Sequence, residues 1–340
     1  MHRMPPAPRR SAAGALLATV LASFLALTAC GGNLDDSESD AASKFPERAV
    51  SLLVGQDAGG STDLIARALA DPASADLKQS ITVLNKPGAN GAVAAKELAG
   101  AKNDGYTLMV FNGSLAYITP LAVSKDQAVD INNYEVVTGT SQDDYVLVAS
   151  PKTGFKTVQD IIAAKRPIKY ASTGVGTGSQ LSQELLFAQA GVQATAVPFN
   201  GGQPALTAVL GGQVDVASVQ LGEAKAQIEA KKVTPVVTFA SKRPTYLPDT
   251  PTATEAGYDA LVQQSRAIVA PKGTPQDVIV RLRTAFQKAF ADQKYKDFNT
   301  QRMLTPNEVD GAALLKQWND SLTTYQGLVD KHKIDLTGKS

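Results

Sequence analysis

The sequence predicts an α/β protein with parallel sheets covered by helices and enough chain for two domains. Three observations carry that reading. Strand-like and helix-like runs alternate through most of the 340 residues. Two glycine-rich turns of one design each join a strand to a helix. Once a leader is set aside, about 300 residues remain, more than one ordinary core accommodates.

The elements follow in order. The apolar run at residues 50–54 is a strand, the turn Ala58-Gly59-Gly60-Ser61-Thr62-Asp63 follows it, and Leu64, Ile65, Ala68 and Leu69 then repeat at helical spacing. Asp71-Pro72 reads as an N-cap with proline at the first helical position, so this helix is expected to stop and restart there. Residues 81–84 are a strand, a helix spans about residues 90–101, and Asp104-Gly105 turns into a strand at 106–111. Thr157-Val158-Gln159-Asp160 has the form of a capping box ahead of Ile161 and Ile162. Strands recur at 168–171, 195–199, 214–219 and 233–239, with helices at 179–190, 204–210 and about 222–230. Two long amphipathic helices end the chain, at 275–291 and about 307–330, with apolar faces that include Val278, Leu282, Phe286, Leu314, Leu315 and Trp318. No repeat of twenty to fifty residues runs through the chain, which excludes a solenoid.

The second turn, Ser172-Thr173-Gly174-Val175-Gly176-Thr177-Gly178-Ser179, precedes Leu181, Leu185 and Leu186. Glycine lets backbone approach a ligand, and the unpaired N–H groups of a helix start attract anions. Two such ends facing each other would clamp a small anion. Each turn taken singly is equally a capped connection, with Ser61 or Thr62 and Ser179 as N-caps.

Ahead of these elements, Arg3, Arg9 and Arg10 precede an apolar stretch at 12–27 that is too short and too rich in small residues for a membrane span, and so reads as a cleaved secretory peptide. It ends in Leu27-Thr28-Ala29-Cys30, which resembles the lipobox of bacterial lipoproteins. That resemblance implies a signal peptide over residues 1–29 and a diacylglycerol on Cys30. Residues 30–44, polar and small, form a flexible tether, holding the protein at the extracytoplasmic face of a bacterial membrane.

Composition narrows the chemistry. Thirty-three basic and 32 acidic residues give a net charge of +1, with no basic excess for nucleic acid. Cys30 is the single cysteine, so no disulfide forms within the chain, and the two histidines are His2 in the leader and His332 near the end. No Cys/His dyad, Ser/His/Asp triad or zinc set can be assembled, and neither a metal nor a cofactor is expected. No Gly-Lys-Ser or Gly-Lys-Thr follows the second glycine turn, so a nucleotide- or anion-dependent enzyme would rest on that turn's glycines alone.

A family resemblance accumulates along the chain. Residues 54–63, Asn85-Lys86-Pro87-Gly88-Ala89-Asn90-Gly91 and Asp104-Gly105-Tyr106-Thr107-Leu108 come first. Residues 170–174, 197–206 and Leu210-Gly211-Gly212-Gln213-Val214-Asp215 follow, then 247–252, Glu255-Ala256-Gly257 and 270–275. From about residue 45 onward this order resembles the tripartite tricarboxylate transporter solute-binding proteins, the Bug family. The resemblance implies a two-lobed periplasmic-binding-protein fold (Venus flytrap), two three-layer lobes joined by two strand crossings. Lobe one would hold residues 45–145, with 265–340 returning to it; lobe two would hold 146–264, and the crossings would fall near 145–149 and 264–270. It also implies a monomer that encloses a small organic carboxylate and delivers it to membrane permease subunits. A lipoprotein that senses the ligand and signals to a membrane partner without import would use the same closure.

Such receptors hold carboxylates with amides, hydroxyls and water. The residues placed to do so are Gly59, Gly60, Ser61, Thr62, the amide of Asp63, Asn112, Gly113 and Ser114 from lobe one. Lobe two supplies Thr173, Gly176, Thr177, Gly178, Ser179, Asn200, Gly201, Gly202, Gln203 and Gln220. All follow expected strand ends, where open α/β sheets bind ligands. The chain departs from the family at Gly55-Gln56-Asp57, where Pro-Phe-Ala is usual, at Gln180, where many relatives have histidine, and at Val219, where many have aspartate. Gln56, Asp57 and Gln180 are therefore specificity positions. Asp57 is either an exposed loop acid or the partner of an amine or hydroxyl-rich face on the ligand. Arg266 either pairs a ligand carboxylate or is a solvated hinge residue. The neighbours Asp143 and Asp144 read as solvated, and Trp318 reads as remote from the cleft.

Overall fold

The computed structural model describes residues 44–337. Strand β1 (Val50–Val54) leads to helix α1 (Ser61–Leu77), β2 (Ile81–Asn85) to α2 (Ala92–Ala99), and β3 (Thr107–Asn112) to the short α3 (Ser114–Tyr117). A long strand, β4 (Tyr134–Ala149), precedes α4 (Val158–Ala163), β5 (Ile168–Ser172), α5 (Gly178–Ala190) and β6 (Ala194–Pro198). Then come α6 (Gly202–Gly211), β7 (Val216–Gln220), α7 (Leu221–Glu229) and β8 (Thr234–Thr238). The chain returns through β9 (Gln263–Pro271) to α8 (Gln276–Ala291), α9 (Gln293–Arg302) and α10 (Gly311–His332).

The strand order is β2-β1-β3-β9-β4-β7-β5-β6, with β8 also on β4. β1 pairs parallel with β2 and β3, and β5 pairs parallel with β6 and β7, as the alternation of strand and helix requires. β4 serves both groups: Tyr134 to Asp144 pair antiparallel with β9, and Tyr145 to Ala149 pair with β7 and β8. The return is stitched in the same place, since the Val262 amide donates to the Phe239 carbonyl at 3.1 Å just before β9 begins. Each sheet group with its covering helices makes one lobe. One core lies between β1, β3 and β9 and the helices α1 and α8; another lies between β4, β7 and the helices α6 and α7.

α1 runs unbroken through Pro72, contrary to the expected restart. Its buried stripe, Ile65, Leu69, Ala73 and Leu77, packs in one core with Leu282, Phe286 and Phe290 of α8. That packing outweighs the loss of about 3 kcal/mol that an interior proline brings to an exposed helix. The capping box at Thr157 and Asp160 is present in both directions. α10 starts at Gly311, later than expected, because residues 305–309 lie along β4: Gln142 N–H donates to Thr305 O at 2.8 Å and Gly139 N–H to Val309 O at 2.9 Å. Among the described residues no helix is long and apolar enough to cross a membrane.

Candidate functional site

A cleft of about 900 Å³ opens between the lobes at the ends of β1, β3, β5, β6 and β7. Its wall contains Gly59, Gly60, Ser61, Thr62 and Asn112 from one side and Thr173, Thr177, Asn200, Gly201, Gly202, Gln203 and Gln220 from the other. Gln56, Asp57 and Arg266 also line it.

The other expected residues face elsewhere, each for a visible reason. The Asp63 carboxylate is buried beneath the first turn, where it accepts the Gly59 N–H at 2.8 Å, Asn85 Nδ2 at 2.9 Å and the Arg67 guanidinium at 2.9 Å. Burial raises this carboxyl, but those hydrogen bonds and the Arg67 charge prevail and hold it below the usual carboxylate range. Gly113 gives its N–H to Ser265 O at 2.8 Å and leaves no room for a β-carbon against Tyr117. Ser114 is buried and accepts Asn90 Nδ2 at 3.2 Å. Gly176 donates to Gln180 Oε1 at 2.8 Å, while its carbonyl accepts Thr119 Oγ1 at 3.0 Å across the lobes. Gly178 packs on the Tyr145 ring. Ser179 Oγ donates to Ser218 O at 2.5 Å and accepts the Thr173 N–H at 3.1 Å. Gln180 is buried, its Nε2 donating to Leu336 O at 3.2 Å. Cys30 lies outside the described residues.

Arg266 is neither solvated nor unengaged. It is 1% exposed, and its five N–H groups have five partners within the chain. Nε donates to Thr62 Oγ1 at 3.1 Å, Nη2 to Gln220 Oε1 at 2.8 Å and Ser61 Oγ at 3.4 Å, and Nη1 to Ser141 Oγ at 3.4 Å and to the Asp143 carboxylate. Asp143, expected to be solvated, is buried in that pair and also accepts Ser141 Oγ at 2.9 Å and the Thr305 N–H at 3.2 Å. The pair therefore ties the crossing strands β4 and β9 to the first turn and to the end of β7.

Several wall residues were absent from the sequence expectation. Asn90 reaches Ser114, Thr119 and the Gly176 carbonyl from one side chain, and Tyr145 donates to Gln264 Oε1 at 2.9 Å. Asn90 stood in a quoted family motif, which was the available signal. Apolar side chains, among them Val93, Val123, Val175 and Phe199, make much of the remaining wall. Glu223, in the first turn of α7, is the other omission. Its side chain lines the cleft together with Ser61 of the opposite lobe and Gln220 of its own. A β-carbon on Gly202 would lie 1.8 Å from Glu223 Oε2, so glycine is what admits the carboxylate there. Burial raises the Glu223 carboxyl, and the pull of Arg266 only partly offsets it.

Two α/β lobes joined by paired strand crossings, with a cleft between them at the strand ends, define a solute receptor of the periplasmic-binding-protein class. Residues 65–334 match the model described as the tripartite tricarboxylate transporter family receptor, TctC, and the chain belongs to that family. It is 35% identical over 266 residues to the UPF0065 protein in the gbd 5′ region of Cupriavidus necator, covering 75% of this chain and 79% of that one. BugT of Bordetella pertussis is 30% identical over 259 residues, 73% of this chain and 78% of its own. Among solved structures, the periplasmic binding protein BugD superposes with a TM-score of 0.79 at 28% identity, covering 86% of this chain and 99% of BugD. MatC from Rhodopseudomonas palustris with bound malate gives 0.78 at 28% identity, covering 84% and 100%. The family is one of solute receptors, not of enzymes.

Proposed function

We propose that this receptor captures a small organic carboxylate between its lobes and delivers it to the membrane subunits of a tripartite tricarboxylate-type transporter. The observation that carries the reading is the convergence of backbone amides and hydroxyls from both lobes on one cleft. Such donors hold an anion without a dedicated cation, because each bond to a charged acceptor is stronger than a neutral one. The malate described in MatC supports the same ligand chemistry.

In this reading the lobes are residues 45–145 with 265–340 and residues 146–264, and the ligand shifts their equilibrium toward the closed form that a permease recognises. The protein works as a monomer, held outside the cell by lipid on Cys30. A panel of carboxylates in a thermal-shift assay on protein lacking residues 1–30 tests capture. A ligand at a hundred times its Kd stabilises by about 2.7 kcal/mol, and a panel with no stabilising member overturns the reading. Cys30→Ser should release the protein from the membrane fraction; retention there would refute the anchor.

A further inference from the structure

We propose that Glu223 selects ligands by charge: its carboxylate fills the anion seat between the first turn and Gly202, so the cleft takes a monocarboxylate with an apolar body in preference to a dicarboxylate. The inference rests on the carboxylate-capture reading and names the class of carboxylate.

The seat has the features of a ligand subsite. Ser61, at the start of α1, lines it from one lobe, and the start of α6 presents Gly202 from the other, bare of a side chain where the carboxylate lies. Both helix starts favour negative charge. A carboxylate already occupies this place, and it belongs to the protein.

The surrounding charges leave no room for a second anion beside it. Arg266, whose charge pulls on Glu223, has every N–H engaged and its charge answered by Asp143. Asp57 stands exposed on the same wall, and Lys96 is the other cation lining the cleft. A ligand carboxylate pressed against Glu223 would meet a like charge held in a partly buried site, which disfavours it strongly. The walls away from Glu223 offer Val93, Val123, Val175 and Phe199, surfaces suited to a hydrocarbon chain or ring.

Hexanoate and adipate share a six-carbon chain and differ only in whether one end is a methyl or a carboxylate. Calorimetric titration of each acid into wild type, Glu223→Gln and Glu223→Ala decides the matter. Glu223→Gln keeps the shape and an acceptor oxygen while removing the charge; Glu223→Ala removes both. Wild type should bind hexanoate about tenfold or more tightly than adipate, and both variants should narrow or reverse that ratio through a gain in adipate affinity of about tenfold. If Glu223→Ala fails to fold, Glu223→Gln gives the answer alone. A merely structural Glu223 would weaken both acids together, and an unchanged ratio in both variants, or a wild-type preference for adipate, overturns the assignment while leaving carboxylate capture standing. Stabilisation by no carboxylate at all, in any of the three proteins, overturns both.

Discussion

The turn at residues 58–63 and the turn at 172–179 share glycine content and a place between strand and helix, yet they end in different conditions. In the first, Asp63 takes the Gly59 N–H from beneath, α1 has no side-chain cap, and Gly59 to Thr62 all lie on the cleft wall. In the second, side chains at the start of α5 fold back: Ser179 takes the Thr173 N–H, Gln180 takes that of Gly176, and Thr177 caps the helix. The Gly176 carbonyl then reaches Thr119 and Asn90 of the other lobe. Glycine density alone does not decide whether a turn offers free N–H groups. Polar side chains at the start of the following helix do, by consuming those groups first.

Four substitutions sharpen that contrast. Arg266→Met should have the largest effect, about 3–5 kcal/mol in chemical denaturation, because it strands the buried Asp143 carboxylate and unties the first turn from the crossings. A loss well under that range would show that Asp143 finds water or a proton instead. Gly176→Ala should come next, at about 2–3 kcal/mol. The position has φ +70°, and a β-carbon would lie 2.9 Å from Thr119 Cα, so both strain and a clash between lobes result.

Asp63→Asn should lose about 1–2 kcal/mol at neutral pH. Because the folded carboxyl is held below its ordinary value of 3.8, its contribution is complete above that pH and fades as pH falls through the lower folded value. Denaturation midpoints of wild type and variant should therefore converge in strong acid; parallel curves would contradict the anchoring role. Gly59→Ala should be mildest, about 1 kcal/mol, since φ is +84° but nothing stands within 4 Å of the new methyl. Equal losses for the two glycine variants would erase the distinction between an open turn and an engaged one.

Local signals in the sequence marked the strand-helix alternation, the Thr157 capping box and the glycine turns, since each depends on residues a few positions apart. What escaped reading depends on distant partners. Pro72 is carried through α1 by packing against α8, some two hundred residues later. The strand Tyr134–Ala149 is polar in its middle because Ser141 and Asp143 answer Arg266, so only its apolar end stood out as a crossing. Glu223 sat in the first turn of a helix, where an acid is ordinary, and nothing nearby announced that it would share the cleft wall with Ser61 of the other lobe. Ser114, Ser179 and Gln180 carried the right chemistry for a ligand and used it internally.

Trp318, the one tryptophan in the chain, is buried against Phe111, and its indole N–H donates to Ser265 Oγ at 2.9 Å. Ser265 lies on β9 between Gln264 and Arg266, both of which line the cleft. An indole expected to be a bystander thus touches a strand that joins the two lobes. If solute draws the lobes together, the indole's emission should answer: a red shift or quenching on adding solute, read without any attached dye.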